Sequence, residues 1–189
     1  MADGTLKVGT ITTSSGSGTI TIGQSGETLS VPSGVTVSGA SANTPAFEAK
    51  RSANQTTSDG TVTKITYNSE LFDTDSCYDT STFRFTPNVA GKYYVYVHTY
   101  HNPSSTANLY DYATMIYKNG SEADGAAEFI IDTEGTTGIT EVASQIGVRV
   151  IDMNGTTDYL EFYFFQTVSG GTPTISGRSF AGAYRLIGA

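Results

Sequence analysis

Two runs of this chain alternate residue by residue, which is the pattern of β-strands that present two distinct faces. In the run 93–100, one alternating set begins Tyr93, Val95, Val97. The other set consists of Tyr94, Tyr96, His98 and Tyr100. The run 159–165 repeats the arrangement, with an apolar set of Leu160, Phe162 and Phe164 and a second set of Tyr159, Glu161, Tyr163 and Phe165. Each run therefore has one face suited to a core and a second face that is still aromatic.

The aromatic second face predicts an oligomer. Tyrosine favours interfaces because it combines a large contact area with a hydroxyl that can find a hydrogen-bonding partner. The residues predicted at the contact between subunits are Tyr94, Tyr96, Tyr159 and Tyr163. The alternative is a tyrosine-rich face that is simply solvated.

Strand-like runs separated by turn residues continue through most of the chain and predict an all-β sandwich or barrel. They lie at 46–51, 62–67, 82–86, 92–100, 113–118, 126–131, 143–151, 159–167 and 179–186. No segment shows the sustained apolar repeat at three- and four-residue spacing that marks an amphipathic helix. The pair Asn119–Gly120 predicts a tight hairpin turn with positive φ.

Residues 1–39 differ from the rest because they contain no aromatic residue and only three charges. Their short alternating runs between Ser-Gly turns predict a β-rich N-terminal attachment segment, followed by a linker at 40–45 and a head domain at 46–189. The apolar residues predicted to anchor it are Leu6, Val8, Ile11, Ile20 and Ile22. Such strands bury little alone, so either three copies wrap together or the segment docks on another protein. A frayed terminus is the alternative.

Six residues at fixed intervals form a signature: Tyr67, Asp73, Tyr78, Phe85, Gly91 and Tyr93. The pattern resembles the complement globular-head family, which shares its jelly-roll trimer with tumour necrosis factor. The similarity spans nearly all of 46–187. It departs at Tyr67 and Val95, where the family has Phe, and at Val97, where the family has an aromatic residue. The resemblance implies a jelly-roll β-sandwich that assembles as a homotrimer.

The Ser/Gly/Thr-rich N-terminus followed by such a head also resembles short phage fibre proteins. This resemblance implies a structural component of a virion: a tail fibre, capsid fibre or decoration protein, bound to other virion proteins through its N-terminus. The head would point outward. Such a protein would be assembled in the host cytoplasm.

Charge and cysteine content exclude several other classes. A net charge of −8 with only ten scattered Lys and Arg argues against nucleic acid as a partner. No stretch approaches the roughly 20 apolar residues of a membrane helix, so membrane insertion is not expected. The start lacks a signal-peptide pattern, and a single cysteine cannot form an internal disulfide.

The acidic cluster of Glu70, Asp73, Asp75 and Asp79 offers oxygen ligands for calcium, which some members of the family bind. Calcium needs about 6–8 oxygens, however, and no EF-hand spacing is present, so a solvated turn is the alternative. His98 and His101 should point to opposite faces of a strand, and Cys77 has no evident partner base. We therefore expect no catalytic residues and no cofactor, with calcium at Asp73, Asp75 and Asp79 as the one metal candidate.

The alternative function is recognition of a host-surface glycan or protein through loops at the apex of the sandwich, where rigid β scaffolds often carry binding residues. The candidate loops are 102–108, 121–125 and 168–173. Their predicted ligand-contacting residues are Asn102, Asn108, Glu122 and Asp124. A glycan depolymerase is a third hypothesis, but no catalytic constellation supports it.

Overall fold

The structure is a computed structural model that describes residues 9–13, 18–35, 43–101, 109–123, 128–132 and 143–187. The chain divides into two compact units, residues 1–40 and 41–189. Across the described residues, no helix combines the length and the apolar character required to cross a membrane.

The N-terminal unit differs from its prediction. Its described residues, 9–13 and 18–35, contain turns and extended chain but no strand, although the short alternating runs of this segment predict β-rich structure. Backbone turns are closed instead by Glu27 N–H to Gln24 C=O at 3.0 Å and Val35 N–H to Pro32 C=O at 3.3 Å. The alternating pattern is not enough for a strand, because a strand also needs a hydrogen-bonded neighbour.

The larger unit is a sandwich of two antiparallel sheets, as the sequence predicts. In its described residues, sheet A contains the strands β1 (Ala46–Lys50), β2 (Gln55–Thr56), β4 (Ser69–Asp73), β7 (Gly91–His101), β11 (Ala143–Met153), β13 (Thr174–Ile175) and β14 (Phe180–Arg185). Their order in the sheet is β2–β13–β7–β14–β1–β4, with β11 paired to β7.

In the described residues, sheet B contains the strands β3 (Thr63–Lys64), β5 (Tyr78–Asp79), β6 (Arg84–Phe85), β8 (Leu109–Lys118), β9 (Ser121–Glu122), β10 (Glu128–Asp132) and β12 (Leu160–Val168). Their order is β10–β8–β12–β6–β5, with β3 paired to β12 and β9 paired to β8. The turn between β8 and β9 contains the predicted positive φ angles, 54° at Asn119 and 82° at Gly120.

Each of the nine predicted runs contains a strand, and the five strands that the sequence did not predict are mostly two-residue pairings. The exception is β4, a five-residue strand in the region assigned to an acidic loop. The pairing of β4 with β1 shifts register between Glu48 and Ala49 of β1, so the side chains of β4 do not alternate regularly between the two faces of the sheet. A bulge of this kind breaks the period of two from which strands are predicted.

The core between the sheets is built from the aromatic residues of the signature. Phe47 lies against both Tyr78 and Phe85, with ring centroids 4.5 Å apart in each pair. The buried tyrosine hydroxyls donate to backbone carbonyls, Tyr78 to Tyr67 at 2.7 Å and Tyr93 to Val89 at 2.6 Å. Burial raises the pKa of Tyr93 to about 12. The core therefore accepts tyrosine because each hydroxyl has a partner.

One end of the interior is polar and centres on His101, which is fully buried. Its Nε2 lies 2.9 Å from Thr99 Oγ1, and its Nδ1 lies 3.2 Å from Gln166 Oε1. Thr99 is in turn 2.5 Å from Thr114 Oγ1. Burial lowers the pKa of His101 to about 4, because the charged imidazolium would lose its hydration. This end of the core thus holds a neutral histidine.

Candidate functional site

The outward surface of sheet A is formed by three strands whose residues lie in cross-strand rows. Val150 on β11 is paired with Tyr94 on β7, and Tyr94 with Tyr184 on β14. The next rows are Val148, Tyr96 and Gly182, then Ile146, His98 and Phe180. We call the set Ile146, Val148, Val150, Tyr94, Tyr96, His98, Phe180 and Tyr184 the sheet A outward face.

The aromatic side chains of this face are already packed against one another. The rings of Tyr94 and Tyr184 are 5.3 Å apart, and the His98 ring stacks on Phe180 at 4.8 Å. Tyr96 lies across Gly182, where an added Cβ would meet its Oη at 2.3 Å. Sequence therefore places glycine where a tyrosine ring must cross the neighbouring strand.

Few polar interactions hold the face in place. The Tyr96 hydroxyl donates to Glu48 Oε2 at 2.5 Å, and burial together with this carboxylate raises the pKa of Tyr96. His98 Nε2 lies 2.7 Å from Ser144 Oγ. Burial also lowers the pKa of His98, so the imidazole is biased toward its neutral form.

The aliphatic part of the face is exposed. Ile146, Val148 and Val150 are 63%, 41% and 48% accessible to solvent. Isolated apolar residues on a surface are ordinary, but a contiguous apolar patch marks a site of interaction. These three residues are not among the predicted contact residues, although their alternation along 146–150 is visible in the sequence.

The four tyrosines predicted at the subunit contact do not form one surface. Tyr94 and Tyr96 lie on the sheet A outward face, whereas Tyr163 is on β12 and Tyr159 directly precedes it, in sheet B. The physical reason is that both runs alternate in the same way but belong to opposite sheets of the sandwich. Their outward sets therefore point in opposite directions.

The proposed calcium ligands are not gathered into a loop. Glu70 and Asp73 lie on β4, and Asp79 lies on β5. Asp79 accepts from the Ser81 hydroxyl at 2.6 Å and from the Thr82 hydroxyl at 2.8 Å, and these hydrogen bonds lower its pKa to about 2. Among the residues that the structure describes, no group of three His, Cys, Asp or Glu side chains is placed to hold a metal ion.

Asp73 instead holds the chain between β4 and β5. Its Oδ1 accepts the Cys77 N–H at 3.1 Å, and its Oδ2 accepts the Tyr78 N–H at 2.8 Å. The carboxylate thus orients Tyr78 for its place in the core. This contact gives a structural reason for the aspartate of the signature.

We expect Asp73→Asn to lower the free energy of unfolding by about 1–3 kcal/mol. The amide nitrogen cannot accept a hydrogen bond, so one of the two backbone N–H groups would lose its acceptor. The matched control is Asp75→Asn, since among the described residues the Asp75 carboxylate accepts only from the hydroxyl of its neighbour Thr74, at an exposed position. Denaturant titration of both variants checks this expectation. Equal stability of the two variants would contradict the role assigned to Asp73.

The remaining chemical candidates lie apart from one another. His98 and His101 are on opposite faces of β7, as predicted. Cys77 is buried, and burial raises the pKa of its thiol, which opposes formation of the reactive thiolate.

Several predicted binding residues lie outside the described residues: Leu6, Val8, Asn102, Asn108 and Asp124. Of the other anchoring residues, Ile11, Ile20 and Ile22 are exposed. Glu122 lies on β9, opposite Tyr117 of β8. The loop-recognition hypothesis therefore stays a prediction.

No protein-family model matches the chain, and no curated protein matches it. Solved structures share its fold. The globular domain of zebrafish complement 1qA protein aligns with a TM-score of 0.54 and 15% identity, over 75% of this chain and 96% of that chain. Eiger TNF from S. frugiperda aligns with a TM-score of 0.52 and 15% identity, over 76% and 92%.

A third structure, murine APRIL at pH 5.0, aligns with a TM-score of 0.51 and 12% identity, over 75% of this chain and 98% of that chain. At these identities the similarity concerns the fold alone. The predicted fold, a jelly-roll sandwich of the complement-head and tumour-necrosis-factor type, is confirmed.

Proposed function

We propose that the head domain is a non-catalytic structural module that assembles into a homotrimer through the sheet A outward face. The observation that carries the proposal is the exposed row of Ile146, Val148 and Val150 beside Tyr94 and Tyr96. Covering apolar surface stabilises an assembly by about 25 cal/mol per Å² removed from water.

The aromatic side chains favour this face for association in a second way. Tyr94 rests on Tyr184, and Tyr96 is held by Glu48, before any partner arrives. Side chains that are already ordered lose less conformational entropy on binding, so more of the contact energy contributes to affinity. Tyrosines in this situation are frequent hot spots of interfaces.

Other copies of the same chain are the occupants that best suit the face. The family resemblance of the signature residues implies a trimer. Its middle is apolar and aromatic, and the charged residues Glu48 and Lys50 of β1 and the ion pair of Lys92 with Asp152 lie at its border. A surface with an apolar centre and a charged border is suited to burial in an assembly.

The finer proposal places this trimer in a phage virion, as the outward head of a tail-fibre, capsid-fibre or decoration protein. Its support is the Ser/Gly/Thr-rich N-terminal sequence, whose residues Ile11, Ile20 and Ile22 are exposed and available to contact another virion protein. Immunoelectron microscopy of particles with an antibody to this chain tests the placement. Purified particles that contain the other structural proteins but no labelled copies would exclude it.

The trimer is tested by introducing one charge into the face. Sedimentation equilibrium should give a trimer for the unmodified chain and a monomer for Ile146→Glu, because the carboxylate would be buried without a partner. Ile130→Glu is the matched control, since Ile130 is also an isoleucine on an outward strand position and is 60% exposed, but lies in sheet B.

The control variant should remain trimeric. A monomeric unmodified chain would overturn the proposal. A trimer that survives Ile146→Glu, or is lost equally in Ile130→Glu, would reject the assignment of the face. Native mass spectrometry gives an independent measure of the subunit number.

A further inference from the structure

The outward surface of sheet B carries a second aromatic cluster, which the proposed trimer does not use. The Tyr163 ring on β12 lies against the Tyr117 ring on β8, with centroids 4.2 Å apart. At its border the Arg84 guanidinium carbon lies 4.1 Å from the centroid of the Tyr159 ring. Each of these tyrosines is only partly buried.

A single carboxylate organises the cations of this cluster. Glu161 is 3% exposed, and its Oε1 accepts from Lys64 Nζ at 2.6 Å and from Arg84 Nε at 2.9 Å. The Tyr163 hydroxyl donates to the other oxygen, Oε2, at 3.3 Å. Lys64 and Arg84 both face this one buried carboxylate, whereas Asp79, the cross-strand partner of Arg84, directs its carboxylate to the hydroxyls of Ser81 and Thr82.

The guanidinium of Arg84 is positioned to bind an anion. The contact with Glu161 uses Nε, and the two terminal nitrogens donate to none of the residues that the structure describes. The side chain is 42% exposed, so this end of the fork can be reached from solvent. A guanidinium fork matches the geometry of a carboxylate, with two parallel N–H···O bonds.

The cluster has two chemically different sides. Lys64 on β3 and Arg84 on β6 lie to one side of β12. Glu122 on β9 lies at the other side of the cluster, opposite Tyr117 of β8. The tyrosines stand between them. A ligand that fits this order has an anionic group at one end, a flat apolar face in the middle and hydroxyl donors at the other end.

We propose that the surface formed by Tyr117, Tyr159, Tyr163, Arg84, Lys64 and Glu122 binds an acidic saccharide, a sugar that carries a carboxylate. The sugar ring lies on the tyrosines, whose negative ring faces attract its C–H groups. The carboxylate binds the Arg84 fork, and a ring hydroxyl donates to Glu122.

Other ligand classes fit less well. A divalent cation would have to displace Lys64 and Arg84 from Glu161. Two cations are too few to follow a nucleic-acid backbone, on which binding depends on many phosphate contacts. A neutral sugar would leave the guanidinium without its anion.

The test uses the full chain and three carboxylated probes: sialyllactose, a tetragalacturonate and a hyaluronan tetrasaccharide. Isothermal titration calorimetry or NMR chemical-shift mapping should detect binding of at least one of them, with a dissociation constant at or below about 10 mM. The same oligosaccharide with its carboxyl groups reduced to alcohols should bind at least about tenfold more weakly.

Two variants locate the binding. Arg84→Gln should weaken affinity by about tenfold or more, because the fork is lost while an amide remains to contact Glu161. Arg178→Gln is the matched control, since it removes another arginine placed over a tyrosine, 5.1 Å from the ring centroid of Tyr100 on sheet A. Its affinity should stay within about twofold of the unmodified chain.

Three results would overturn the proposal: no binding of any probe, equal binding of the carboxyl-reduced sugar, or equal loss of affinity in both arginine variants. The site does not depend on the proposed trimer, because it lies on the opposite sheet of each protomer. Ile146→Glu should therefore bind the same probe with unchanged affinity, which separates a failure of this site from a failure of the trimer.

Discussion

Replacing Phe47 with alanine is expected to lower the free energy of unfolding by about 3–5 kcal/mol. Phe47 on β1 is fully buried and contacts the rings of Tyr78 and Phe85, so truncation removes apolar burial and leaves a cavity between the two sheets. Few single changes in this chain should cost more, because the ring joins sheet A to sheet B at the centre of the core.

The matched control is Phe72→Ala. Phe72 lies on the adjacent strand β4, but 46% of it is exposed, so the same truncation should cost less than about 1 kcal/mol. Denaturant unfolding followed by tyrosine fluorescence, at one fixed protein concentration, measures both. A loss for Phe47→Ala no larger than that of the control would mean that the core is not packed as the structure shows.

Acidification is expected to destabilise the head well before its carboxylates are protonated. His101 has a folded-state pKa of about 4 against an ordinary value of 6.5, and it is fully buried. Above about pH 6.5 the histidine is neutral in both states and has no effect. As the pH falls from 6.5 toward 4, the unfolded chain binds the proton first, so stability is lost.

Between pH 7.5 and 4.5 this single group should lower the free energy of unfolding by about 2–3 kcal/mol. Among the residues that the structure describes, those in contact with His101 include no anion to hold the charge. Thr99 and Gln166 contact its ring nitrogens, Tyr112 and Phe164 contact its ring, and His98 on the same strand opposes the added proton.

The carboxylates act in a lower range of pH. The hydrogen bonds and ion pairs of Asp158 and Glu161 lower their pKa values, so their contributions to stability are present above about pH 4.5 and are lost below it.

Unfolding free energies measured at intervals from pH 7.5 to 4.5 therefore isolate the effect of the histidines on stability. The slope of unfolding free energy against pH reports how many more protons the unfolded chain binds than the folded chain. In His101→Gln this number should fall by about one, whereas in His98→Gln most of the slope should remain. An unchanged slope in His101→Gln would contradict the assignment.

The core of the head could be predicted from sequence. Tyr67, Tyr78, Phe85 and Tyr93, the aromatic residues of the spaced signature, are all buried. The alternation of 93–99 and of 160–164 also assigned the inward side chains correctly, including Val95, Val97 and Phe162. A period of two is a property of the strand itself, so it holds wherever the strand is placed.

The candidate sites were predicted less completely. Glu161 belongs to an outward set, yet it is buried, because Lys64 and Arg84 from distant parts of the chain cover it. Asp73 stands among acidic residues that suggest calcium, but its oxygens are occupied by two backbone N–H groups of the following turn. In both cases the partner that decides the chemistry is not visible in the local sequence.

The amino-acid sequence by itself determined that the head is a β-sandwich, which side chains fill it, and that the strands over 93–100 and 159–165 have aromatic residues on both sides. Only the tertiary structure decided that Tyr94 and Tyr96 lie in sheet A, whereas Tyr163 lies in sheet B and Tyr159 directly precedes the same strand of that sheet. Alternation specifies that neighbouring residues face opposite ways, but it carries no information about which sheet a strand joins. Strand pairing between distant segments makes that choice, and it divided one predicted interface into two separate surfaces.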